Sequence, residues 1–174
     1  KDSAEKFSGG YLVEGVNAKI AIYVEENFLH CAFYGLGEDD LFRTGDNSFS
    51  NFSGENSVEF IDSGSHKFSK AILTIKGQKM TANRIETEKN NIADCLNACP
   101  GNYYCDNYST VYSIHLENNN LVLHHNRSDD IRLQQIDRDE FFCKIGFVKF
   151  IRNNNMEIIS FIFTPSSDRF SFQS

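Results

Sequence analysis

A repeat runs through this chain and constrains its fold more than any other feature. Val24-Glu25-Glu26-Asn27-Phe28-Leu29 returns as Leu116-Glu117-Asn118-Asn119-Asn120-Leu121. Asp39-Asp40-Leu41 returns as Asp129-Asp130-Ile131, and Val58-Glu59-Phe60-Ile61 as Val148-Lys149-Phe150-Ile151. The three pairs keep their order at offsets of 92, 90 and 90 residues. A copy of this length is one supersecondary unit or small domain used twice. The repeat therefore settles architecture and leaves activity open. In a chain of 174 residues each copy is small enough to be marginal alone, so the halves are expected to pack on each other or on something larger.

Within each copy the apolar residues alternate. Ile20, Ile22 and Val24 fall on one side of Lys19–Val24, the mark of a strand with one buried face. Glu25-Glu26-Asn27 turns the chain into Phe28–Phe33. Asp39–Thr44, Ser48–Phe52, Ser57–Asp62, Lys70–Ile75 and Lys79–Ile85 read as further short strands, with turns at Gly45-Asp46-Asn47 and Lys76-Gly77-Gln78. The second copy keeps the rhythm in Thr110–Glu117, Leu121–His125, Ile131–Ile136, Phe141–Lys144, Gly146–Ile151, Glu157–Phe163 and Arg169–Phe172. Its turns fall at Asn118-Asn119-Asn120, Asp137-Arg138-Asp139 and Asn153-Asn154-Asn155. One stretch, Ile92–Cys99, has helical spacing, with Ile92, Cys95, Leu96 and Cys99 on one side and Pro100-Gly101 as its stop. The expected fold is all-β: two tandem antiparallel meander barrels of about eight strands each, joined by a short helix. Residues 1–6 are expected to be a disordered terminus, 7–88 the first barrel, 89–101 the linker helix and 102–174 the second barrel.

The second copy carries a family resemblance. Leu96-Asn-Ala-Cys-Pro-Gly101-Asn-Tyr103-Tyr104-Cys-Asp106-Asn-Tyr-Ser-Thr-Val-Tyr112 resembles the opening of an accessory β domain found after the catalytic domain of β-lactamase and penicillin-binding-protein-like serine hydrolases. Leu121–His125, Asp130–Leu133, Asp139–Phe141, Val148–Phe150, Ile158–Phe161 and Arg169–Phe172 continue the likeness. The first copy is similar more faintly, through Phe7-Ser-Gly9-Gly-Tyr11. Cys105 departs from the pattern, which has a small polar residue there. The resemblance implies a lipocalin-like barrel without the hydrolase's catalytic residues. It also implies a catalytic serine-hydrolase domain as partner in the same full-length protein, and a periplasmic or secreted setting. The function it implies is packing on that domain and shaping substrate access or oligomerisation. The alternative is lipocalin-like binding of a small apolar ligand in a barrel, with Phe33, Tyr104, Phe161 and Phe163 as lining aromatics.

Other chemistry is thin. Ser3-Ala-Glu-Lys6 has the Ser-x-x-Lys spacing of those hydrolases, but no apolar helix or partner motif follows it. His30, His66, His115, His124 and His125 form no ligand spacing. His124 and His125 on a strand point to opposite faces, while His115 neighbours one of them across the hairpin. Five cysteines do not fit a zinc ribbon. They are read as free or buried thiols, with Cys99–Cys105 or Cys95–Cys105 as bridges if the protein is exported. The acid pairs Glu25-Glu26, Asp39-Asp40, Asp129-Asp130 and Asp139-Glu140 are read as solvated turns, not catalytic dyads or calcium ligands. The net charge of -7 disfavours phosphate-backbone binding and anionic membranes, and no apolar run is long enough to cross a bilayer. Nothing in the motifs calls for a cofactor or a metal. Starting at Lys1 without Met, the chain reads as a mature form or a fragment.

Overall fold

Alternating apolar residues generate nearly every element of the computed structural model, which describes residues 4–16, 18–25, 28–33, 37–62, 64, 68–86, 89–105, 109–126 and 128–165. These fall into two compact units, the first ending at Ile85 and the second spanning Glu86–Pro165.

The first unit is a meander of eight antiparallel strands: β1 (Gly9–Val13), β2 (Ala18–Glu25), β3 (Phe28–Phe33), β4 (Gly37–Arg43), β5 (Ser48–Ser50), β6 (Asn56–Asp62), β7 (Phe68–Ile75) and β8 (Gln78–Arg84). β8 pairs back on β1 through Tyr11↔Arg84, Leu12↔Asn83 and Val13↔Ala82, which closes the barrel. Closure leaves no ladder edge exposed. Ile20, Ile22, Leu29, Cys31, Val58, Phe60, Ala71 and Leu73 follow period two and fill the interior. A bulge, where Ile61↔Lys70 is followed by Asp62↔Phe68, inserts one residue into β7. It turns Phe68 to the core out of phase with Ala71 and Leu73.

A 3-10 turn, Ala4–Phe7, precedes β1. Alternation gave no hint of it, because Lys6 and Glu5 read as a polar terminus. Phe7 drops into the barrel, its ring centroid 5.1, 4.5 and 4.7 Å from those of Phe49, Phe60 and Phe68. The Tyr11 hydroxyl donates to the Phe7 carbonyl at 2.8 Å. The Arg84 guanidinium donates to the carbonyls of Lys6, Ser8 and Phe68 and to the Tyr11 hydroxyl. A plug of one aromatic ring is thus tied to both strands of the closing seam.

The second unit starts with α1 (Lys89–Ala98) and continues with β9 (Gly101–Cys105), β10 (Thr110–Glu117), β11 (Asn120–His125), β12 (Ser128–Asp137), β13 (Glu140–Cys143), β14 (Gly146–Arg152) and β15 (Ile158–Pro165). The seven strands form a nearly closed antiparallel barrel in the order β15 to β9. Among the described residues β9 and β15 are its edges, and the strand expected at Arg169–Phe172 lies outside those residues. Aromatic rings span the seam: Tyr103 of β9 lies 5.1 Å from Phe161 of β15, centroid to centroid. Cys95 and Cys99 drop from α1 into the core beside Leu121, Phe141 and Phe150. The Tyr103 hydroxyl donates to the Cys99 carbonyl at 2.6 Å. This is the Tyr11–Phe7 arrangement again at the same four-residue spacing, so the repeat extends to the plug.

The hairpin turns follow strand twist. A two-residue turn that matches it needs positive φ at both central positions. Lys76 (φ 48°) and Gly77 (φ 81°) supply this between β7 and β8, and Asn118 (φ 49°) and Asn119 (φ 61°) between β10 and β11. The all-β, two-barrel architecture expected from the repeat is the one observed.

The two capping tyrosines give a titration signature. Burial pushes the Tyr11 hydroxyl up to about 12 against the opposing pull of Arg84, and burial likewise raises Tyr103 to about 12. A raised folded-state pKa means that the stabilisation is fully present below the ordinary tyrosine value of about 10 and is lost as pH rises through the folded value. Tyr11 and Tyr103 are therefore expected to ionise late in an absorbance titration of tyrosinate, and Tyr11→Phe to reduce the amplitude of that late phase. A single alkaline step shared by all the tyrosines while the protein remains folded contradicts this.

Candidate functional site

The residues that carry chemistry gather in three places, each set by strand register. The first is the outer face of the β3–β4 hairpin. Leu29 and Cys31 face the core, so His30 between them faces outward. Its register partner on β4 is Asp40, and Glu38, two residues away on β4, lies on the same face opposite Ala32. His30 Nδ1 is 2.9 Å from Asp40 Oδ1 and 3.7 Å from Glu38 Oε1. Tyr23 of β2 is the partner of His30 on the other side. Its ring stacks on the imidazole at 5.0 Å and an interplanar angle of 19°, and its hydroxyl donates to Glu38 Oε1. Asp39 turns to the opposite face, where its Oδ2 accepts from Asn56 Nδ2 at 2.6 Å.

The second place is the matching hairpin of the second unit. Leu123 pairs with Ile131 as Leu29 pairs with Leu41, and His124 and Asp130 follow as His30 and Asp40 do, here across a register shift between Leu123 and His125. His124 Nδ1 lies 2.5 Å from Asp130 Oδ1. His125 points the other way, to Thr110 Oγ1 at 3.0 Å and onto the Tyr112 ring at 5.0 Å. The opposite-face expectation for this pair is thereby met. The register places His115 diagonally beside His124, ring centroids 6.2 Å apart. His66 and Ser3 lie outside the described residues.

The third place is beneath α1. Helical spacing of four brings Cys95 and Cys99 together, Sγ to Sγ at 3.3 Å, both fully buried. Cys95 also donates to Asp139, whose carboxylate accepts from Arg152 Nε and Nη2 at 2.7 Å each. All five cysteines are free thiols. Cys99 faces Cys95, while Cys105 sits half-buried at the end of β9. The hydrogen bond between its thiol and Cys95 Sγ, and then burial, hold the Cys99 thiol far above its ordinary range, and burial does the same to Cys31. Thiols so raised are poor nucleophiles at neutral pH.

Asp139 shows how this cluster responds to acid. Burial pushes its carboxyl up, but the hydrogen bonds from Arg152 and Cys95 and the charges of Arg152 and Arg138 outweigh burial and hold it below the ordinary value. A depressed folded-state pKa gives stability present above the unfolded value of about 3.9 and lost as pH falls through the folded one. The acid limb of the stability profile below about pH 4 is therefore expected to flatten in Asp139→Asn. An unchanged acid limb in equilibrium unfolding at several pH values argues that the Arg152 pair carries no such linkage.

The remaining predicted residues separate. Phe33 and Phe161 pack against the cores of the first and second units respectively. Phe163 shares the inward face of its partner Val148 but stays partly exposed on the edge strand. Tyr104 is 63% exposed because its neighbour Tyr103 takes the inward position, so it lines no interior. A pocket beside Phe33, lined also by Cys31, Leu41, Val58 and Leu73, encloses about 10 Å³, room for about one water. The Asp39-Asp40 and Asp129-Asp130 pairs, expected in turns, lie on β4 and β12. Asp39 and Asp40 alternate in regular register and face opposite sides, so that pair does not converge as a dyad would require, while Asp129-Asp130 falls at a register shift of β12. Sequence reasoning missed Tyr23 and Glu38. The available signal was Tyr23 at an outward position of the alternating β2 segment, directly across a short turn from His30.

Compared with protein-family models and with curated proteins, the chain matches none.

Proposed function

We propose that this chain is a non-catalytic accessory region of a β-lactamase-like serine hydrolase, packing on the catalytic domain and shaping access to its cleft or its oligomerisation. The observation that carries the reading is the edge of the second barrel. β15 exposes Ile159 (58%) and Ile162 (54%) on a strand with one unpaired side among the described residues. Tyr104 and its partner Val111 add apolar surface on β9 and β10. A long apolar edge is a liability unless something covers it, and a larger domain of the same protein would do so. In the first barrel the pocket beside Phe33 has room for about one water, which weighs against the apolar-ligand alternative there. The positions quoted for the resemblance also take structural roles. Gly101 opens β9, Tyr103 caps the plug, and Leu96 lies against the core.

The full-length gene is the first test. The reading expects an adjoining reading frame that encodes a helical domain with Ser-x-x-Lys and Tyr-x-Asn, and a gene without one overturns it. Given such a domain, the separately expressed hydrolase is expected to bind this chain, and Ile162→Glu to abolish co-elution on gel filtration while leaving the far-ultraviolet spectrum unchanged. Co-elution that survives Ile162→Glu together with Ile159→Glu removes the edge from the argument.

A further inference from the structure

We propose that His30, Glu38 and Asp40 form a binding site for a borderline divalent cation of the zinc class on the outer face of the first barrel. The inference does not depend on the hydrolase reading above. Three ligand atoms from one hairpin, His30 Nδ1, Glu38 Oε1 and Asp40 Oδ1, lie within 4.8 Å of one another. A tetrahedral zinc ion with bonds of about 2.1 Å spaces its ligands roughly 3.4 Å apart. The observed separations from the imidazole nitrogen, 2.9 and 3.7 Å, bracket that value, so rotamer adjustments of a few tenths of an ångström seat the ion. Two carboxylates and a neutral imidazole carry the charge that a divalent cation cancels. Three protein ligands leave a fourth position open to water, and Asp40, 69% exposed, gives the entry path.

Two further features separate this cluster from an ordinary surface ion pair. Tyr23 orients both other groups at once, stacking on His30 and donating to Glu38. Outer partners of this kind fix the direction of ligands and raise metal affinity. The imidazole is also well held, its side chain 13% exposed between β2 and β4. The second unit supplies an internal comparison. His124 and Asp130 repeat the histidine–aspartate pair, but Ser113 is the register partner of His124 where Tyr23 is that of His30. That pair lacks the tyrosine that stacks on the imidazole and orients a carboxylate, so it is expected to bind more weakly.

The test is titration of the untagged, reduced 174-residue chain with Zn²⁺ by calorimetry and with Co²⁺ by visible absorption. The expected result is one saturable high-affinity site with a cobalt spectrum free of thiolate charge transfer. It should weaken at least about tenfold in His30→Ala and in Asp40→Asn, about tenfold in Tyr23→Phe, which keeps the stacked ring and removes only the hydroxyl, and not at all in His124→Ala. Excess Mg²⁺ should not compete, because the imidazole selects against it. Glu38→Gln preserves volume and carries the test if His30→Ala does not fold. Absence of saturable binding overturns the proposal. So does binding lost in Cys95→Ser with a thiolate band, which assigns the metal to the thiols under α1, or binding lost in His124→Ala.

Discussion

Gly146→Ala is expected to lower the stability of the second barrel by at least about 3 kcal/mol, the sum of backbone strain and overpacking. Gly146 opens β14 at φ +146°, a region that residues with a Cβ rarely occupy. A Cβ there would stand 2.2 Å from the Thr164 carbonyl oxygen and 2.8 Å from Pro165 Cα. Both contacts are backbone atoms of β15, held opposite by the Gly146↔Pro165 and Phe147↔Thr164 pairs. They can retreat only by parting the outermost ladder of the sheet. The measurement is the urea midpoint by circular dichroism, with hydrogen exchange of peptides from β14 and β15 to locate the loss. A change under about 0.5 kcal/mol, the range of neutral surface substitutions, contradicts the argument.

The second large effect concerns the plug of the first barrel. Phe7→Ala is expected to cost about 3–5 kcal/mol. The ring is fully buried and packs on Phe49, Phe60 and Phe68, and the Arg84 and Tyr11 bonds that hold its backbone leave the gap little freedom to collapse. Phe52, 96% exposed, is the matched comparison, and Phe52→Ala should remain within about 0.5 kcal/mol of the parent. Equal effects from the two substitutions, read from denaturant midpoints and from exchange of first-barrel peptides, would place Phe7 outside the core.

The strands were legible where side chains alternate and turns announce themselves. Ile20, Ile22 and Val24 predicted β2, and Lys76-Gly77 predicted the hairpin that follows β7, because both signals are local. β1 and β9 were not read as strands. Gly9-Gly10 and Pro100-Gly101 carry poor strand propensity, and these segments are extended because partners elsewhere in the chain pair with them. α1 begins at Lys89, where the linker helix was expected to start, although helical spacing itself is legible only from Ile92, since Lys89-Asn90-Asn91 offers no apolar period. The inward turn of Cys95 and Cys99 was legible from their spacing. The His30–Glu38–Asp40 cluster was not, since it depends on which residue of β4 lies opposite His30. That register follows from the path of the chain between the two strands, and composition does not encode it.

The seam that joins β1 to β8 also governs how the protein is made. Tyr11 waits for Arg84, its ladder partner, so a ribosome releases the first strand long before the last one emerges. During that interval the nascent sheet is a ribbon with two bare margins, open to neighbouring chains on the same message. Pairing between chains therefore competes with closure of the seam, and refolding yield is expected to fall as chain concentration rises.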